Sequence, residues 1–174
     1  MNIHDYRKIV IFGSSGAGKS YLSRRIAELT GYPSYHLDAE LLKPGWIMLE
    51  HNESVARQNE IISGNKWIIE GNYKKTMELR YVAADLVIFI DVGRFRRIVS
   101  VLRRRGQKRP ELPDYFKDYR LFSKENVEFL KIVWSHDKAT RKAVFSMREK
   151  YPNTPFLHVK GRREVNKWLR EWGE

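Results

Sequence analysis

Residues 13 to 20 read Gly13-Ser14-Ser15-Gly16-Ala17-Gly18-Lys19-Ser20, an instance of G-x-x-x-x-G-K-[ST] with an additional glycine at position 16. The loop is preceded by Ile9-Val10-Ile11-Phe12, a short β-branched run of the kind that forms a buried parallel strand. It is followed by Leu22, Ile26 and Leu29 at i, i+4 and i+7, an amphipathic helix closed by Gly31 and Pro33. Strand, glycine-rich loop and helix N-terminus in this order make a phosphate cradle. Glycines let successive N–H groups turn inward, the helix end adds positive potential, and Lys19 reaches the terminal phosphates of a nucleotide. The hydroxyl of Ser20 is then the expected ligand for Mg²⁺. Gly13, Ser14, Ser15, Gly16, Ala17, Gly18, Lys19, Ser20 and the adjoining Tyr21 are the expected nucleotide contacts, with Lys19 also acting in catalysis.

The rest of the chain repeats the alternation. Short apolar runs at Tyr35 to Leu37, Trp67 to Ile69, Leu86 to Ile90 and Phe156 to Val159 are separated by segments of helical periodicity. Five strands alternating with helices imply an α/β fold, a parallel sheet covered on both faces. Two helical stripes are expected to be core: Phe95, Ile98, Val99 and Leu102, and Val165, Trp168, Leu169 and Trp172. Leu121 to Tyr151 reads as two helices broken near Ser135-His136-Asp137. At 174 residues, the chain is read as one domain.

Composition removes several chemistries. With no cysteine, there is no disulfide framework, thiolate metal site or thiol nucleophile. The five histidines are scattered without zinc-ligand spacing. No run approaches the length of a membrane span and no signal-peptide pattern opens the chain, so a cytoplasmic location is expected, without a membrane partner. A net charge of +12 favours phosphorylated or polyanionic ligands without choosing between them. Arg94 to Arg109 carries eight basic residues and no acid.

Open parallel sheets place their sites at the carboxyl ends of strands, where Asp38, Glu70 and Asp91 stand. Glu70, with Gly71 allowing close backbone approach, is expected beside Mg²⁺ with Ser20. Asp91 reads as a cap for the helix starting near Arg94. Asp38 has two readings: a group that orients or deprotonates an acceptor hydroxyl, or an N-cap for the segment starting at Ala39. Phosphoryl transfer needs cations that close over developing charge. Arg109, in a turn-rich stretch with Gly106 and Pro113, and Arg103, Arg104 and Arg105 are the candidates, in a lid over about 103–120.

The loop, then Tyr35-His36-Leu37-Asp38 with Lys43-Pro44-Gly45-Trp46, then Trp67-Ile68-Ile69-Glu70-Gly71-Asn72-Tyr73 with Thr76, Met77 and Arg80 before Ala84-Asp85, resemble the bacterial DNA topology modulation proteins (FlaR-related). These belong to the adenylate-kinase-like P-loop kinases. The resemblance implies a five-stranded parallel sheet in the order 2-3-1-4-5, Mg-nucleotide binding, a lid after the fourth strand and an acceptor region at about 38–66. Adenylate kinases carry an Asp-Gly-Phe-Pro-Arg-like segment where this chain has Glu70-Gly71-Asn72-Tyr73, so Arg80 is the candidate replacement for the arginine that grips an acceptor phosphate, beside Gly71. Asp38 matches an acid of shikimate and gluconate kinases, whose acceptor is a hydroxyl, and Arg109-Pro110 is similar to the shikimate kinase lid.

The expected function is Mg²⁺-dependent transfer of the γ-phosphoryl group of ATP to a small acceptor, a nucleotide or nucleoside. Lys19, Arg105, Arg109 and Asp38 are its catalytic residues, and Gly161 and Arg162 border the base. The rival reading is a regulatory protein switched by a nucleotide, using its positive charge on DNA or RNA.

Overall fold

Ile9, Val10, Ile11 and Phe12 are all fully buried, because the strand they form is the middle one of its sheet. The computed structural model describes residues 1–45, 47–103 and 138–173. Its elements are β1 (Lys8–Gly13), α1 (Lys19–Thr30), β2 (Ser34–His36), α2 (Leu37–Leu41), β3 (Leu42–Lys43), β4 (Ile47–Met48), α3 (His51–Ile62), β5 (Trp67–Glu70), α4 (Met77–Ala83), β6 (Leu86–Ile90), α5 (Arg94–Arg103), β7 (Phe156–Val159) and α7 (Arg162–Gly173). A further helix, α6, is described over 138–150.

Five parallel strands lie in the order β2-β5-β1-β6-β7, and β3 with β4 forms a separate antiparallel hairpin. Counted within the large sheet alone, the order is 2-3-1-4-5, as expected; the hairpin only shifts the numbering. Register brings Glu70 beside both Ile11 and His36, and Gly13 beside Ile90, so the ends of β2, β5 and β6 surround the start of the glycine-rich loop.

The two-residue period of the strands divides the core. Ile9, Ile11, Ile68, Leu86, Ile88 and Ile90 pack on one face with Leu22 and Ile26 of α1 and Val165, Leu169 and Trp172 of α7. Val10, Phe12, Trp67, Ile69, Val87 and Phe89 pack on the other with Leu37, Leu41, Ile61, Met77, Tyr81 and Val144. Both faces of every central strand are therefore covered, which is why these strands read as continuous apolar runs rather than alternating ones.

Two expectations change. In α7 the apolar stripe is core, as read. In α5, Phe95 is 77% and Val99 46% exposed while Arg97 is buried, so these two members of the stripe are not core; the side chains of Ile98 and Leu102 lie outside those described. The second strand ends at His36, one residue earlier than expected, and Leu37 opens α2. The break near Ser135-His136-Asp137 and the lid segment after Arg103 lie outside the described residues, as does Trp46. Among the described residues no helix is long and apolar enough to cross a membrane.

Candidate active site

The loop between β1 and α1 begins at Gly13, where a side chain is excluded by backbone: a Cβ would lie 2.7 Å from the carbonyl oxygen of Ile90. Inside the loop, Ala17 N donates to Ser14 O at 3.0 Å. Gly18, in the left-handed region, is the N-cap of α1 and Lys19 its first residue. The Lys19 ammonium curls back over the loop, 3.5 Å from Ser14 O. The Lys19 ammonium thus stands over the loop at the N-terminal end of α1, the kind of helix end at which phosphate groups are bound.

Beside that point stands Glu70. Ser20 Oγ donates to Glu70 Oε1 at 2.8 Å, His36 Nδ1 lies 3.0 Å from the same oxygen, and Lys19 Nζ lies 3.9 Å from Oε2. Burial raises the affinity of this carboxyl for its proton. The Lys19 charge and the His36 and Ser20 contacts outweigh it and hold the pKa at about 2. The group is therefore an anion at neutral pH, adjoining a serine hydroxyl. Magnesium is commonly held by one or two carboxylate or hydroxyl groups together with phosphate oxygens and water, and Ser20 and Glu70 fit that role. Among the described residues no group of three or more histidine, aspartate, glutamate or cysteine side chains could hold a metal by itself. His36 also lines, with Ser20, Arg24 and Glu40, an open cavity of about 390 Å³ between α1 and α2.

Asp38 is exposed in the first turn of α2. It is not an N-cap: His36 holds that position, without a side-chain cap bond. The Asp38 carboxylate instead accepts a hydrogen bond at 2.9 Å from the Tyr73 hydroxyl, on Oδ1. Burial and the Asp38 charge push the Tyr73 phenol far above its ordinary range, so it stays a donor.

Arg80 does not line the site surface, contrary to the expectation that it grips an acceptor phosphate. It is fully buried. Its guanidinium donates to Gly71 O at 2.7 Å, Asn72 O at 2.8 Å and Tyr73 O at 3.2 Å, and lies 5.5 Å from the centroid of the Phe12 ring. Burial draws its pKa down to about 9, with Tyr73 and Glu70 opposing, so the charge persists at neutral pH. Gly71 beside it has φ +139°, and a Cβ there would lie 2.8 Å from Leu37 Cβ.

Asp91 is not the cap of α5 either, standing three residues before its first residue. Its carboxylate meets His158 Nε2 at 3.1 Å and bonds Arg141 of α6. Arg162 opens α7 with its guanidinium 5.2 Å from the centroid of the Tyr21 ring, next to Gly161. Arg103 is the last residue of α5; Arg104, Arg105 and Arg109 lie outside the described residues. Sequence reasoning assigned no role to His36, Asn72 or Tyr73, although all three stand within three residues of a strand end that it had singled out.

No protein-family model matches the chain, and neither does any curated protein sequence. Solved structures do. A shikimate kinase from Acinetobacter baumannii in complex with shikimate matches with a TM-score of 0.59 at 15% identity, over 97% of this chain and 92% of that one. A shikimate kinase from Bacteroides thetaiotaomicron matches with 0.55 at 17%, over 95% and 96%. A gluconokinase from Sinorhizobium meliloti 1021 matches with 0.52 at 16%, over 95% and 89%. At such identities the likeness is one of fold: the chain has the α/β fold of these kinases over nearly its whole length.

Proposed function

We propose that this chain is an ATP- and Mg²⁺-dependent phosphotransferase acting on a hydroxyl group of a small acceptor, within the adenylate-kinase-like P-loop kinases and close to the topology modulation proteins it resembles. The observation that carries the reading is the Lys19–Ser20–Glu70 constellation at the mouth of the loop. Bound Mg-ATP would supply the transferable phosphoryl group and the metal charge that neutralises it. The chain's own contribution is positioning: loop N–H groups and Lys19 hold the donor phosphates, and Ser20 and Glu70 stand on the metal side. Arg105 and Arg109 stay in the proposal as closing cations over about 103–120, and Gly161 with Arg162 as neighbours of the base.

Asp38 and Arg80 support a hydroxyl acceptor. A phosphate acceptor arrives ionised and needs cations, but Arg80 is spent on three backbone carbonyls. A hydroxyl acceptor benefits from a carboxylate base, and Asp38 is exposed with one oxygen held by Tyr73. In the transfer, the acceptor oxygen forms a bond to the γ-phosphorus as the bond to the β–γ bridging oxygen breaks. The hydroxyl proton passes to Asp38 Oδ2 and ADP leaves. The likeness to kinases named for shikimate and gluconate supports a hydroxyl acceptor. A nucleoside satisfies the same chemistry; a nucleotide accepting on its phosphate does not. Phosphorus NMR of the product tests this directly. A phosphomonoester resonance is expected, and a new pyrophosphate linkage would reverse the acceptor assignment.

A further inference from the structure

In a parallel ladder the Ile11–Glu70 pairing is followed on one edge by two bonds: Gly71 N to Ile11 O, then Gly13 N to Gly71 O. The first is present, at 3.4 Å. The second is replaced. Gly71 O accepts instead from Arg80 at 2.7 Å, and the Gly13 N–H is taken by the side chain of Asn72, whose Oδ1 lies 3.2 Å away. Gly13 is the residue from which the phosphate loop departs, so the amide oxygen of Asn72 completes the ladder where the strand backbone has turned aside.

The turning aside is built in. Arg80 is fully buried, reads the carbonyls of Gly71, Asn72 and Tyr73 in succession, and lies over Phe12, the residue before Gly13. Tyr73, at φ 31°, is the non-glycine residue with positive φ among the described residues. A buried guanidinium and a left-handed tyrosine are both unfavourable in isolation. Together they hold the strap 71–73 in one conformation, with Asn72 aimed at the loop and Tyr73 at Asp38.

We propose that Asn72 is a positioning residue for the donor phosphates: its amide oxygen, set in place by Arg80, fixes the direction of the first N–H of the Gly13–Ser20 loop and hence the path of the loop. The proposal rests on the nucleotide-binding reading of that loop, but not on any choice of acceptor.

Two measurements test it without an acceptor. In the first, ATP, ADP and adenosine are titrated into the parent protein and into Asn72→Ala. Loss of one hydrogen bond that orders the loop is expected to weaken ATP and ADP about three- to tenfold and to leave adenosine unchanged. Equal weakening of all three ligands, or unchanged ATP affinity, overturns the proposal. A parent that binds no ATP overturns the nucleotide reading itself, and the proposal with it. In the second, amide exchange at Gly13 is followed in the nucleotide-free parent, so that the test survives if the variant fails to fold. Protection is expected, and free exchange at Gly13 beside protected Ile11 contradicts the proposal.

Discussion

Ser20 Oγ and Glu70 Oε1 are 2.8 Å apart, joining the first turn of α1 to the end of β5 across fifty residues of sequence. The contact exists because β5 lies directly beside β1 and its last residue is level with Ile11. A carboxylate is thereby set against the serine that follows the loop lysine. Such a pair serves a metal-bound polyphosphate well.

Lys19→Ala should abolish phosphotransfer while leaving thermal unfolding within a few degrees of the parent. The lysine is partly exposed, with its charge directed at the loop and at Glu70. Turnover assays beside a melting curve check this, and retained turnover would contradict the role assigned to the loop.

Glu70 makes acid stability a signature of the site. Its pKa is depressed from 4.5 to about 2 in the folded protein. The stability it contributes is therefore fully present above about pH 4.5 and is lost as pH falls toward 2. In Glu70→Gln this part of the acid transition should flatten. Denaturant midpoints measured across that window for both proteins read the difference.

For Asp38, substitution should affect chemistry more than binding. Asp38→Asn is expected to lower kcat by about 10²–10⁴, the range of a lost general base, with ATP affinity unchanged. Tyr73→Phe should reduce kcat far less, because the carboxylate remains while its orientation is loosened. Steady-state kinetics with the acceptor identified by product analysis separates the two effects.

Substitutions behind the site should act on stability. Arg80→Ala removes three hydrogen bonds to buried backbone and leaves a cavity, so a loss of about 3–5 kcal/mol is expected. Gly71→Ala must displace Leu37, since the added carbon would lie 2.8 Å from its Cβ, and should cost about 1–3 kcal/mol. Urea unfolding of each variant gives the values.

Four strands of the sheet, β1, β5, β6 and β7, were legible as short apolar runs ended by glycine or by a polar turn, and a loop such as Gly13–Ser20 demands a strand before it and a helix after it; β2, Ser34-Tyr35-His36, carries no such run. The position of Glu70 at the end of β5 was legible for the same reason, as an acid at a strand end followed by glycine. The orientation of α5 was not: its 3.6-residue period describes a stripe, and nothing in the period shows that Arg97 rather than Phe95 faces inward. Arg80 was misread because a guanidinium attracts a phosphate reading, whereas burial and three neighbouring carbonyls are tertiary facts. His36, Asn72 and Tyr73 act through partners 34, 59 and 35 positions away, a relation visible only once β2, β5 and β1 lie side by side.

The most direct test of the account is ADP formation from Mg-ATP across nucleosides, small polyols and hydroxy acids, nucleoside monophosphates and duplex DNA, with Lys19→Ala and Asp38→Asn alongside. Stimulation by one hydroxyl-bearing small molecule, abolished in the first variant and strongly reduced in the second, is the expected result. Stimulation by DNA alone, or ATP binding that no acceptor converts into turnover, would contradict it.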